Sequence, residues 1–131
     1  MPVELSPEER AMFAAPNYAV LVTLWPDGTA QVTPVWVDIE GDRIVVNSAE
    51  GRVKVRNLRR DPRATVTVMD ASDWERWASI RGRAIEITTD GALEHADAIS
   101  RKYTGRDFRD LLPGEVRVRI VIDPVAASAS L

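Results

Sequence analysis

The chain has 131 residues, 45% of them apolar and 28% charged, the composition of one folded domain rather than of a disordered tail or a fibre. It contains no cysteine and one histidine, His95, which excludes thiolate nucleophiles, iron–sulfur clusters and the usual zinc sites. The first ten residues are mostly polar and acidic and no apolar run approaches the ~18 residues needed to cross a bilayer, so the chain reads as cytoplasmic.

In chain order, Ser6-Pro7-Glu8-Glu9 has the form of a capping box with proline at the first helical position, and predicts a short helix to about Ala14 that lids one end of a barrel. Residues 18–25, 30–39 and 43–48 then read as three antiparallel strands joined by tight hairpins at Pro26-Asp27-Gly28 and Glu40-Gly41-Asp42. In the first of them both alternating sets are apolar, Tyr18, Val20, Val22 and Leu24 against Ala19, Leu21 and Trp25. Such a strand is covered on two faces, by helices or by a second subunit.

Residues 51–58 alternate like a strand, yet their arginine and leucine content suits a helix, and periodicity leaves the two open. Residues 63–70 and 77–88 read as two further strands around a loop at 71–73, with Gly82 marking a bulge or bend. Residues 93–103 show helical spacing, with Leu93, Ala96 and Ile99 or Tyr103 on one face. A last strand at 116–122 turns Val116, Val118, Ile120 and Ile122 inward and Arg117 and Arg119 outward. The sum is a mainly β chain of six strands and about three short helices, and neither repeats nor linkers divide residues 1–131.

Net charge is −3 but unevenly spread. Between residues 52 and 63 stand Arg52, Lys54, Arg56, Arg59, Arg60 and Arg63 against one acid, Asp61, a local +5 beside −8 for the rest. That asymmetry asks for an anionic partner. A long nucleic acid is repelled by the remainder of the chain, whereas a small phosphate-bearing ligand is not. Arginine offers planar paired donors to a phosphoryl group and lysine a compact point charge, so Arg52 and Lys54 beside helix-start amides form a competent cradle. Lys54 is also one of only two lysines among 17 basic residues. Arg56, Arg59, Arg60 and Arg63 are expected to pair with acids such as Asp61 or Asp70.

The remaining candidates read more plainly. Trp25 is a core or interface residue, and His95, beside Glu94 and Asp97, belongs to a surface or an interface. Ser48 and Ser79 have no histidine to activate them, which argues against a serine hydrolase. The glycines show neither Rossmann nor phosphate-loop spacing.

Residues 47–63, Asn-Ser-Ala-Glu-Gly-Arg-Val-Lys-Val-Arg-Asn-Leu-Arg-Arg-Asp-Pro-Arg, placed after two hairpins and before a strand, resemble the signature of the pyridoxamine-phosphate-oxidase-like split barrels. The nearest likeness is to the branch that uses the deazaflavin coenzyme F420, found largely in actinobacteria, and it extends from about Pro16 to about Pro124. The resemblance implies a helix over residues 51–60, a six-stranded antiparallel split β-barrel, and a homodimer with cofactor sites at the subunit interface. It implies that Arg52 and Lys54 bind the cofactor phosphate, with Val53 and Asn57 beside them. The strand holding Gln31, Thr33, Pro34, Val35 and Trp36 lines the ring, and Asn47 and Ser48 hold the polyol chain. The segment with Trp74, Trp77 and Ala78 arrives from the second subunit.

The activity so implied is a reductase passing a hydride between F420 and a small, flat, conjugated organic substrate. The cofactor carries the chemistry, so no catalytic side chain is singled out and no metal is expected. The arginines beyond Lys54 offer charge to the oligoglutamate tail of F420. FMN is the alternative cofactor, in a flavin oxidase, flavin reductase or flavin-binding protein. A non-catalytic carrier of F420, FMN or haem needs the same pocket. True pyridoxamine-phosphate oxidases are longer and carry substrate-phosphate residues at a C-terminus that here reads Ala-Ala-Ser-Ala-Ser-Leu.

Overall fold

The computed structural model describes residues 3–109 and 111–131. Helix α1 (Pro7–Ala14) leads into β1 (Tyr18–Leu24), β2 (Ala30–Val35), β3 (Asp38–Glu40) and β4 (Arg43–Ala49); α2 (Val53–Arg60) precedes β5 (Arg63–Asp70) and β6 (Asp73–Thr88); α3 (Ala92–Thr104) and β7 (Arg117–Ser130) follow. All seven strands form one antiparallel sheet in the order β2-β1-β5-β6-β7-β4-β3.

The two edges of this sheet come from one stretch of chain. β2 pairs with β1 at one edge and β3 with β4 at the other, yet only Trp36 and Val37 separate β2 from β3. The three steps from Val35 to Asp38 span at most about 11 Å, so the sheet has to curl until its edges nearly meet. The result is a barrel wall with an open seam. Backbone groups at the seam lack a strand partner and need another. Helix α3 supplies it: Tyr103 Oη accepts from the Val37 amide at 3.3 Å and donates to the Asn17 carbonyl at 2.7 Å. Lys102 Nζ donates to the carbonyls of Val37 at 2.5 Å and Phe13 at 2.6 Å.

Inside the curl, alternate residues of every long strand meet. Leu21, Val66, Ile80, Ile120, Ile122, Ile44 and Val46 are fully buried, and Phe13 of α1 plugs one end. Helix α1 starts at the expected capping box, the Ser6 hydroxyl accepting from the Glu9 amide while the Glu9 carboxylate accepts from the Ser6 amide. Helix α2 lays Val55 and Leu58 against the core and packs on β1. The helical alternative for residues 51–58 therefore holds, because apolar burial at 55 and 58 follows a helical step that a strand would split between faces.

Other expectations change. There are seven strands among the described residues, not six, because residues 30–39 divide at the seam. Alternation runs through that break unaltered, with Val35 and Ile39 both packed on the core, so the pattern gives no sign of it. β6 begins at Asp73 and β7 runs on to Ser130, Trp77 pairing with Ser130. That tail of alanine and serine has weak strand propensity, and pairing along β6 overrides it. Val116 lies before the strand and is 47% exposed, and Leu93 is 54% exposed while Ala92, Ala96 and Ile99 take the buried face of α3.

Gly82 sits at the expected bulge, opposite Pro124 where the β6–β7 register shifts. A Cβ there would stand 2.3 Å from the Asp123 carbonyl oxygen and 2.8 Å from Ile122 Cγ2. Backbone cannot retreat as a flexible side chain can. Gly82→Ala is expected to cost about 1–3 kcal/mol, read as a lower urea midpoint with an unchanged slope; an unaltered midpoint would show that the two strands are free to separate there.

Candidate functional site

A cavity of about 250 Å³ opens beside the seam, lined by Pro34, Val35, Trp36, Asn47, Ser48, Arg52, Lys54, Ala96, Ile99, Phe108 and Arg117. Its position follows from the fold. β4 ends at Ala49, the turn through Gly51 in positive φ reverses the chain, and α2 starts at once. Arg52 is the N-cap of α2 and Lys54 its second residue, so both are delivered to the mouth of the cavity by a helix start. The amides of Val53 and Lys54 lie in the first turn, where no intrahelical acceptor exists, and the helix dipole adds partial positive charge. No side chain among the described residues caps this end.

Three cations converge here. Burial, more than any neighbour, pushes the Lys54 ammonium below its ordinary value, and the charges of Arg52 and Arg117 push it further the same way. The acid among them is Glu115, whose Oε1 lies 3.4 Å from Arg52 Nη2 and whose Oε2 lies 3.5 Å from Arg117 Nη1. Both contacts are long, and Glu115 Oε2 has no hydrogen-bond partner among the described residues. Three positive groups against one negative leave a net of +2 in a half-buried pocket. Such a charge balance suits an anionic ligand.

On the other flank, Trp36 stacks on Tyr103 with ring centroids 5.5 Å apart and planes 10° from parallel. Its indole divides the cationic cavity from a second, more apolar one of about 540 Å³ lined by Asn17, Tyr18, Ala19, Pro34, Val35, Trp36 and Tyr103. The two cavities share Pro34, Val35 and Trp36, and so adjoin along the seam as a groove that this indole interrupts, charged on one side and apolar on the other.

Of the residues singled out in the sequence, Pro34, Val35, Trp36, Asn47, Ser48, Arg52 and Lys54 thus lie together, with Val53 adjacent at the helix start. Asn57 and Gln31 lie elsewhere. Asn57 is buried beneath α2, its amide donating to Thr23 Oγ1 at 3.1 Å, and that hydroxyl donates to Gln31 Oε1 at 2.8 Å, a chain tying α2 to β1 and β2. Thr33 is half-buried on β2, and its hydroxyl has no partner among the described residues. Ala78 is fully buried, Trp77 half-buried and Trp74 74% exposed, all on β6 and outside the cavity. The outer arginines are engaged away from it: Arg59 with Glu50, Arg60 with the Leu24 carbonyl, and Arg63 with Asp61 through a 2.7 Å contact that helps hold that carboxyl at about 2.

Arg117, Phe108, Ala96 and Ile99 were not foreseen as site residues. Arg117 does point away from the core, as its alternation with Val118 requires, but α3 covers that face of β7 and turns it into a cavity wall. Only the crossing of α3 over β7, which periodicity does not encode, reveals this. His95 is likewise half-buried rather than free at the surface, and contacts Asn47.

Against known proteins, the family model for pyridoxamine 5'-phosphate oxidase matches residues 5–128. An F420 reductase of known structure is 27% identical and superposes with a TM-score of 0.84, over 95% of this chain and 98% of that one. A conserved hypothetical protein from Mycobacterium tuberculosis is also 27% identical, with a TM-score of 0.75 over 98% and 85% of the two chains. The Group A Streptococcus protein HupZ, at 16% identity and a TM-score of 0.69 over 95% and 93%, shares the fold alone. No helix among the described residues is long and apolar enough to cross a membrane.

Crowded like charges cost stability unless an anion joins them. Lys54→Met removes one cation and keeps the stem's packing, so the ligand-free variant is expected to be more stable by about 0.5–1 kcal/mol in urea unfolding at pH 7. A destabilised variant would mean that Lys54 already has a counter-charge in the folded chain.

Proposed function

The chain belongs to the pyridoxamine 5'-phosphate oxidase family, and on that premise we propose that it is an F420-dependent reductase acting on a small, flat, conjugated organic substrate. Membership of this family and likeness to an F420 reductase support an oxidoreductase with a flavin or deazaflavin cofactor. The observation that carries the reading is the convergence of Arg52, Lys54 and Arg117 at the charged end of a groove whose other end is aromatic and apolar. That polarity matches a ligand with a phosphate at one end and a planar ring at the other.

The donor set fits such a cofactor. Arg52, Lys54 and Arg117 would hold its phosphate together with the free amides of Val53 and Lys54. Ser48 offers a hydroxyl to a polyol, and Asn47, whose amide hydrogens are engaged by Ala92 and His95, offers only a remaining lone pair of Oδ1. Pro34, Val35 and Trp36 give a dry wall, and the Trp36–Tyr103 stack keeps that wall rigid. Bound F420 supplies the hydride chemistry; the protein's part is to orient, to exclude water and to balance charge. FMN is the second reading, since its phosphomonoester also meets a net charge of +2.

Homodimerisation belongs to the proposal. The outer face of β1 and β2 carries Tyr18 at 65% and Val32 at 56% exposure, and Trp74 of β6 is the most exposed large apolar side chain at 74%. A monomer gains nothing from displaying them, whereas a second copy would cover them, its Trp74–Ala78 segment closing the groove.

Separate titrations with F420 and FMN, followed by fluorescence quenching, test the cofactor. F420 is expected to bind more tightly, and a clear preference for FMN would overturn the first reading in favour of the second. Lys54→Met should weaken whichever binds by about 1.5–3 kcal/mol, the range for a hydrogen bond to a charged group, and an unchanged dissociation constant would remove Lys54 from the site. Light scattering should give a dimer at micromolar concentration. In the same titration Trp74→Ala should weaken ring quenching while leaving inorganic phosphate competition intact; equal quenching would exclude this residue from the pocket.

A further inference from the structure

Arg117 is the one cation of the cavity whose aim is fixed on several sides. Its Nε donates to Asn47 Oδ1 at 2.9 Å, its guanidinium lies 4.5 Å from the centre of the Phe108 ring, and Glu115 attends Nη1. Asn47 is itself fixed. Its Nδ2 lies 2.9 Å from the Ala92 carbonyl and 3.0 Å from His95 Nδ1.

The chemistry of these groups sets every proton in the chain of contacts. A guanidinium has donors only, so the group of Asn47 facing Arg117 has to be its carbonyl oxygen. Its amide nitrogen therefore faces His95, and as that nitrogen can only donate, His95 Nδ1 accepts. His95 is thus neutral, with its hydrogen on Nε2. Burial, the largest influence, holds the imidazole below its ordinary value; Asp38 opposes and Arg117 reinforces the shift. A proton on Nδ1 would set two donors face to face and turn the Asn47 amide, bringing its nitrogen against Arg117. Neither His95 nor Ala92 lines the cavity.

We propose that His95 and Asn47 form a brace that aims the Arg117 guanidinium at the phosphoryl group of the ligand, so that His95, a residue outside the cavity, sets ligand affinity as a positioning residue. This rests on the cavity being the phosphate site. Without the brace Arg117 keeps its charge but loses the orientation that gives a planar fork its paired contacts with a phosphoryl group. Phe108 and the long 3.5 Å contact with Glu115 then hold it less closely.

The test compares dissociation constants for F420 and FMN, titrated separately with inorganic phosphate as competitor, among the unaltered protein, Lys54→Met, Arg117→Met, His95→Leu and His95→Gln, and the double variant His95→Leu/Arg117→Met. Urea unfolding confirms that each is folded. Arg117→Met is expected to weaken binding about 10- to 100-fold and His95→Leu about 2- to 10-fold, the ranges for a charged and a neutral hydrogen bond. His95→Gln, whose side-chain oxygen accepts from Asn47, should restore most of the loss. The double variant should bind no worse than Arg117→Met alone, because His95 acts only through Arg117. Additive losses, or a leucine variant that binds like the unaltered protein while Lys54→Met and Arg117→Met do not, would overturn the brace and spare the phosphate site. Unchanged binding in both Lys54→Met and Arg117→Met would overturn the site and the brace together.

Discussion

The seam is the constraint on which the rest of this molecule depends. A chain that leaves one edge of a sheet and two residues later joins the opposite edge obliges that sheet to curl, and the curl encloses the core. It also leaves Trp36 and Val37 without a strand on either side. The backbone needs of Val37 are met by Tyr103 and Lys102 of α3, which explains why one of only two lysines in an arginine-rich chain stands outside the lining of the charged cavity. Burial pushes the Lys102 ammonium below its ordinary value while Asp38 opposes the shift, and its two carbonyl acceptors, joined by that acid, compensate the desolvation. The groove is the space that this repair leaves open.

Because the seam fixes where α3 crosses the sheet, it also assembles the charged end of the groove. Helix α3 lies over β4 and β7, which closes the face bearing Asn47 and Arg117 and buries both polar groups far enough for their contacts to matter. Helix α2 delivers Arg52 and Lys54 from the opposite side. The arrangement is unfavourable in itself, with three cations sharing one loosely held carboxylate, and it is tolerated because the apolar core elsewhere is continuous from Phe13 to Ile122. Under the proposed function, stability is given up where an anion is to be received. Glu115 fits this balance as a mild counter-charge, near enough to lessen repulsion and too distant to fill the donors of either arginine.

The apolar half of the groove and the outer sheet face complete the picture. Trp36 belongs to both halves, so a ligand reaching from Lys54 past this indole would be gripped at a charge and read by its shape. The outer face of β1 and β2 shows the second apolar set that alternation marked for cover, and within one chain it is only partly covered. Two-sided apolarity in a strand is a statement about partners as much as about cores.

Residue pattern alone determined much of this. The capping box placed α1, two turns with glycine placed the hairpins, alternation in residues 118–122 identified the buried face of the last strand, and the crowding of basic residues after β4 pointed to an anionic partner, because each of these signals is local and rests on side-chain chemistry within a few residues. Tertiary structure alone decided the split of residues 30–40 into two edge strands, the extension of β7 through alanine and serine, the burial of Asn57 under α2, and the enlistment of Arg117, Asn47 and His95 around one cavity. These depend on which surfaces meet across 45 to 70 residues of chain, and period, propensity and charge count describe a segment without saying what will lie against it.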